Sequence, residues 1–352
     1  YIKTIYCQFR YKIMKKVYLL TDNDIYFADH LKFPHININE IIKYFKDVEI
    51  DINILKLQDL PYLNKVENSI ILTISSQKPY HRFYFNDINY YLSKENNNIL
   101  VPSYEMIKAH ENKGYQELYK NILGIESLKA FYVNNNTINY EIVEKELSSP
   151  LVLKTIDGAG SKGVKLVKSR HDLRKNIEKI HFTSSYRNYV YIYELLKRFF
   201  KIKPNQKKLD YCADYNNFIV QEFIPNLKFD YKVLVFFDKY YALKRNISNN
   251  DFRASGSGKF EFVDIEDSLL DYAHSISETL NEPFLSLDIC YDEKKYYLIE
   301  YQGIHFGQYT QLHSDGYYIL LENNWKFISE KKSLEFDLFY SLHSQLQKIQ
   351  EV

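Results

Sequence analysis

Between Leu151 and Val167 the sequence reads LVLKTIDGAGSKGVKLV, two apolar segments flanking a loop that carries Gly158, Gly160 and Gly163. After Gly163, Val164, Leu166 and Val167 interleave with Lys165 and Lys168, the period of a strand. The segment therefore folds as strand, glycine hairpin and strand. Glycines let backbone N–H groups approach phosphate oxygens with no Cβ in the way, and Lys154 sets a compact positive charge beside them. A dinucleotide-binding loop would open a helix instead, and a protein-kinase glycine loop takes its lysine from the following strand. A plain surface hairpin is the bland alternative. A helix follows, with Ser169 as its cap, Asp172 at the capping-box position and Leu173, Ile177 and Ile180 on its apolar side.

Strand with terminal lysine, glycine hairpin, strand and helix together resemble the ATP-grasp superfamily. Composition is compatible. The 352 residues are 45% hydrophobic and 26% charged, enough for two or three subdomains with sizeable cores. With 46 basic and 45 acidic residues, a formal charge of +1, no whole-molecule field draws in nucleic acid or an anionic membrane, although local basic patches remain open. Cys7, Cys212 and Cys290 lack metal spacing, which suits reduced thiols, with Cys290 in the core. No apolar run is long enough to span a bilayer, and YIKTIYCQFRYKI is too interrupted by charge for a signal sequence, so a cytoplasmic location is expected.

The expected fold class is α/β (α+β), with an ATP-grasp fold preceded by a small parallel domain. Residues 1–13 form an extension ahead of Met14, and residues 14–104 form the parallel domain, from VYLLT, INILKL, SIILTI and NILVP alternating with helices such as Ile38 to Phe45 and Asp87 to Lys94. Residues 105–216 form a small lobe with the glycine loop and a basic, tyrosine-rich insertion at 186–216, and residues 217–352 form a large lobe. The segment VPSYEMIKAHENKGYQELYKNILGI reads as a helix with Tyr115, Leu118, Tyr119 and Ile122 on its apolar side. Gly316 to Val352 reads as a strand pair around Trp325 and an amphipathic helix for packing or for a homodimer contact.

Site residues follow from the resemblance, motif by motif. Lys113 and Lys154 are implied at the nucleotide phosphates with the loop Gly158, Gly160, Ser161 and Gly163. In QEFI, Gln221, Glu222 and Phe223 match the hinge that reads adenine, and Asp230 matches the acid that bonds the ribose hydroxyls. Lys232, two residues on, shares the strand face of Asp230. The run NDFRAS resembles that of ligases adding glutamate to a ribosomal protein, which implies Arg253 and Ser255 at the transferred phosphoryl group; an arginine fork suits charge that develops there.

FLSLDICY and YYLIEYQ read as a hairpin closed at Asp292 and Tyr296, which sets Asp288 opposite Glu300. Opposed carboxylates repel, so the pair points to a cation, and oxygen donors beside a nucleotide point to Mg2+, with Mn2+ as a substitute. Gln302 stands on the same face where the family usually carries asparagine. His305 in the following loop is either packed, or in contact with substrate or acting as a base. The resemblance implies a ligase in which ATP activates a carboxylate as an acyl phosphate and an amine displaces phosphate, with Lys232 and Arg253 at the chemistry. A small-molecule or glycan carboxylate, joined to an amine in surface-polysaccharide synthesis, is the substrate reading. An ATP-grasp kinase and a non-catalytic ATP-binding protein are the alternatives. The same reading implies one cleft in which the glycine hairpin and the Asp288–Glu300 pair grip one triphosphate.

Overall fold

Long apolar runs separated by helix-length segments fold as layered α/β units in the computed structural model. It describes residues 15–22, 26, 36–57, 66–94, 97–135, 137–156, 163–177, 185–212, 217–248, 251–253 and 258–351. The chain divides into two compact units, Tyr1–Ser127 with Asn226–Val352, and Leu128–Pro225.

The amino-terminal part of the first unit contains β1 (Lys16–Thr21), α1 (Ile38–Asp47), β2 (Ile52–Lys56), β3 (Ser69–Leu72), α2 (Pro79–Lys94) and β4 (Ile99–Val101). The strands form a parallel sheet in the order β2-β1-β3-β4. All of SIIL is buried, the continuous apolar pattern of a strand covered on both faces. The Asn37 side chain caps α1, which buries Ile38, Ile41 and Phe45. The next segment is not one helix but two, α3 (Tyr104–Ala109) and α4 (Lys113–Leu123). The break comes at Glu111, with φ of 50°, and at Asn112, whose side chain accepts from the Tyr115 amide to start α4. The buried face of α4 also corrects the sequence reading. Lys113, Gln116, Glu117 and Lys120 are buried, whereas Leu118 and Ile122 are exposed.

The second unit contains β5 (Ala130–Asn134), α5 (Tyr140–Glu146), β6 (Leu151–Thr155), β7 (Val164–Val167), α6 (Arg170–Ile177), α7 (Ser185–Leu196), a 3-10 turn (Lys197–Phe200), α8 (Gln206–Cys212) and β8 (Asn217–Glu222). Its antiparallel sheet runs β5-β8-β6-β7. Leu151, Leu153, Phe218 and Val220 face Leu173 and Ile177 of α6 in its core. Ser169 caps α6 by accepting from the Asp172 amide, as read from the sequence, while the Asp172 carboxylate reaches back to the Lys168 amide. Ile180 lies outside the described residues.

The first unit resumes with β9 (Phe229–Phe236), β10 (Lys239–Asn246), β11 (Phe260–Glu261), α9 (Asp267–Leu280), β12 (Phe284–Tyr291), β13 (Tyr296–Gln302), α10 (Tyr309–His313), β14 (Tyr317–Leu321), β15 (Asn324–Ile328) and α11 (Leu334–Glu351). These strands build a seven-stranded antiparallel sheet, β13-β12-β9-β10-β14-β15, with β11 on β10. One face (Val233, Val235, Leu285, Leu287) packs on Leu269, Leu270, Ala273 and Ile276 of α9. On the other, Leu234, Phe236 and Phe284 join the core of the parallel sheet. Leu338, Phe339, Leu342 and Leu346 of α11 are buried in that same core, and Cys290 is buried as expected. Among the described residues no helix is long and apolar enough to cross a membrane.

Candidate active site

Within the second unit, strand register places several of the sequence-predicted residues. Lys154 lies opposite Val164 on one side and Ile219 on the other, and Val152 lies opposite Gln221. Opposed residues share a face, so Lys154, Val152, Ile219 and Gln221 occupy the side away from the unit's core. At Gly163 φ is 80° and an added Cβ would fall 2.2 Å from Thr155 Oγ1, so the hairpin admits no side chain there. The Thr155 amide donates to the Gly163 carbonyl at 3.1 Å and closes the turn. Gly158, Gly160 and Ser161 lie outside the described residues.

Gln221 is buried, and its Nε2 has no hydrogen-bond partner among the described residues. A buried donor left unmet costs about 1–3 kcal/mol. Glu222 is engaged locally. Its carboxylate accepts from the Lys129 amide at 3.2 Å while its own amide donates to the Lys129 carbonyl at 3.0 Å. Phe223 follows β8 directly and is half-buried.

Within the first unit, a cluster of charged residues lies at one end of the seven-stranded sheet. Asp230 is opposite Arg245 of β10, Lys232 is opposite Asp288 of β12, and Asp288 is opposite Glu300 of β13, with Gln302 two residues further on the same face. The Asp288–Glu300 pairing is the one expected, reached differently. The hairpin closes one residue earlier, at Tyr291 and Tyr296, and a bulge between Asp288 and Ile289 leaves Ile299 unpaired and restores the register.

The repulsion expected between these acids is met inside the chain, which corrects the argument that the pair by itself demands an ion. Lys232 Nζ is 2.7 Å from Asp288 Oδ1, and an Arg245 nitrogen is 2.9 Å from Asp288 Oδ2. Arg245 also holds Asp230 with two bonds of 2.6 and 2.9 Å. Lys113, at the start of α4, places its ammonium 3.6 Å from Glu300. Burial opposes charge at Asp288, but Arg245 and Lys232 outweigh it and hold the carboxyl well below its usual range. At Asp230 burial wins over Arg245 and pushes the group up to about 6. Arg245 stays charged despite burial because two carboxylates grip it. Asp230 is thus occupied by Arg245, a residue that sequence reading did not place in the site. Its only signal was a basic pair in the strand beside Asp230.

Gln302 bridges outward from this cluster. Its Nε2 donates to Glu300 at 3.2 Å, and its Oε1 is 3.0 Å from His110 Nδ1. His110, also missed, is buried, and burial lowers it to about 4 even though the Gln302 bond favours its charged form. Its Nε2 makes no hydrogen bond among the described residues, with the Ser76 backbone close enough to be felt. The His305 ring is 5.2 Å from that of His110, and its Nε2 is 2.5 Å from the Ser75 carbonyl oxygen. His305 is buried. At Gly303 an added Cβ would fall 2.6 Å from Met106 side-chain atoms, which would have to shift.

For a divalent ion, Asp288, Glu300 and the Gln302 amide oxygen are hard oxygen donors of the right type. Each is engaged by an internal partner, and among the described residues no group of three His, Cys, Asp or Glu side chains could hold a metal ion. Arg253 is forked onto Asp251 with two bonds of 2.9 Å, which lowers Asp251 to about 2. Ser255 lies outside the described residues.

No known protein-family profile matches the sequence, and no curated protein matches it either. Solved structures do. D-cycloserine synthetase DcsG superposes with a TM-score of 0.54 at 10% identity, over 94% of this chain and 99% of that one. D-alanine–D-alanine ligase from Bacillus anthracis gives 0.52 at 10%, over 96% and 99%. The ATP-grasp ligase PsnB, solved with a minimal precursor, gives 0.52 at 12%, over 95% and 100%. At this identity the likeness is one of fold, and the fold of this chain is ATP-grasp.

Proposed function

We propose that this protein is an ATP- and Mg2+-dependent carboxylate–amine ligase that releases ADP. One observation carries the reading. Within the ATP-grasp fold, three carboxylates (Asp230, Asp288, Glu300) stand among three cations (Lys113, Lys232, Arg245) at the sheet end where the resemblance puts the metal and the transferred phosphoryl group. Lys154, the Gly163 hairpin and the unmet Gln221 amide are assigned to the nucleotide. Asp288, Glu300 and Gln302 would hold Mg2+, whose chemistry is to neutralise phosphate charge.

Lys113 and Lys232 offer their ammonium groups to phosphoryl oxygens, and Arg253 offers its guanidinium to the transferred group. A substrate carboxylate oxygen attacks the γ-phosphorus, the bond to the β-phosphate oxygen breaks and ADP leaves. An amine nitrogen then attacks the acyl carbon, phosphate departs, and the nitrogen loses its proton. PsnB was solved with a precursor peptide, so peptide carboxylates are the first substrates to try, followed by amino acids and a sugar acid of the kind found in surface glycans. A mass-spectrometric screen of acid and amine pairs with ATP tests the reading. A condensed product with ADP, dependent on both partners, is the expected result. Release of AMP, or a stable phosphorylated product formed without amine, overturns it.

A further inference from the structure

The basic, tyrosine-rich insertion has no part in the chemistry above. In α7, Tyr189, Ile192, Tyr193 and Leu196 recur at helical spacing and are all exposed. The stripe runs into the 3-10 turn, where Phe199 and Phe200 are 82% and 75% exposed, and on to the exposed Ile202. Soluble proteins seldom leave so continuous an apolar strip in water. The tip is a built turn. Lys201, with φ of 58°, reverses the chain, and the Ile202 amide donates to the Lys197 carbonyl at 2.9 Å. The solvent-inaccessible Glu194 carboxylate binds both Lys197 Nζ and the Asn205 amide, at 2.9 and 2.8 Å, so the two sides of the turn are clasped together.

Charge accompanies the strip. Residues 185–212 hold seven Lys or Arg against two Asp or Glu, a net +5 in a chain whose total is +1. Arg198, Lys201, Lys203, Lys207 and Lys208 are all exposed. We propose that this helical hairpin docks on an anionic phospholipid surface, with Phe199, Phe200 and Ile202 entering the acyl boundary and the lysines and Arg198 meeting headgroups. The order of residues supports a membrane over a protein partner. Wholly apolar side chains stand highly exposed at the turn, and Tyr189 and Tyr193, whose rings stack at 6.5 Å, are set one to three turns back where hydroxyls meet the headgroup level. A second copy meeting strip to strip would bring like charge against like, and so would residues 1–13, which carry Lys3, Arg10 and Lys12 and no acid.

The test is sedimentation of the full chain with vesicles of phosphatidylcholine alone and with vesicles of equal parts phosphatidylcholine and phosphatidylglycerol. Binding to the anionic vesicles, weakened by salt and absent from the neutral ones, is the expected result. The double substitution Phe199→Ser and Phe200→Ser lowers the partition coefficient at least about tenfold. Lys201→Gln and Lys203→Gln each lower it roughly fivefold. All four side chains are exposed, so the unfolding transition stays where it is. In Phe199→Trp, the added indole emission shifts to the blue on anionic vesicles. No sedimentation with anionic vesicles, wild-type binding by the double Phe variant, or binding of an acidic amphipathic peptide in place of vesicles overturns the proposal.

Discussion

The two ends of the β9–β10 pair carry similar ions in different settings. At one end Lys232 and Arg245 hold Asp288 and Asp230. At the other, about 20 Å away by strand rise, Lys239 Nζ lies 3.0 Å from Asp337, which also accepts from Tyr241 at 2.7 Å and Gln311 at 2.9 Å. The second cluster is sealed. The Asp337 side chain is fully buried, and the rings of Tyr317, Phe336 and Tyr340 enclose the Lys239 ammonium at 4.3–5.0 Å. The first keeps its edge open, with 19% of Lys232 and 26% of Glu300 still accessible. Where every bond of an ion is filled by its own chain, the pair clasps α11 to the sheet. Where the ions keep access to solvent, they can exchange partners with an incoming anion.

That distinction can be broken by substitution. Asp337→Ala leaves Lys239 buried and unpaired and is expected to cost about 3–5 kcal/mol, read from the urea midpoint. Asp288→Asn is expected to lower ATP turnover by about 10²–10³-fold while unfolding stays within about 1 kcal/mol of wild type, and Lys154→Ala likewise abolishes turnover in a folded protein. Global unfolding of the Asp288 variant on the scale of Asp337→Ala would erase the difference between the two ends.

A pH titration sharpens the contrast. His110 is depressed to about 4 by burial, below its ordinary value of 6.5. The unfolded chain therefore takes up a proton that the folded chain refuses. Its stabilising contribution is complete above pH 6.5 and is lost as pH falls towards 4, on the order of 2–3 kcal/mol. His110→Gln should flatten that slope in thermal melts across the window. The smallest effect is expected on the outer face of α4, where Ile122→Lys changes stability by no more than about 0.5 kcal/mol because the side chain is already in solvent.

Much of the scaffold was legible along the chain. The apolar run SIIL announces a strand covered on both sides, and the alternation after Gly163 announces a hairpin where a dinucleotide loop would have a helix. The Asp288–Glu300 pairing was legible for a partly wrong reason, since the earlier hairpin closure and the bulge offset one another. Helix α4 was misread because periodicity assumes that the apolar stripe faces inward. There Glu117 and Lys120 pair at 2.8 Å beneath the surface and Lys113 reaches Glu300, so polar groups take the buried side.

Local sequence carries strand and helix periods, a glycine at a φ that favours it over residues with a Cβ, and the lysine and carboxylate types from which the site was read, because these depend on neighbours within a few residues. Which cation answers which carboxylate depends on four strands and a helix that are far apart in the chain. Arg245 meets Asp230 and Asp288, and His110 meets Gln302, through register and packing that no short window of residues contains. Electrostatic energy falls with distance in space and not with separation along the chain, so the charge balance of the site came into being with the fold.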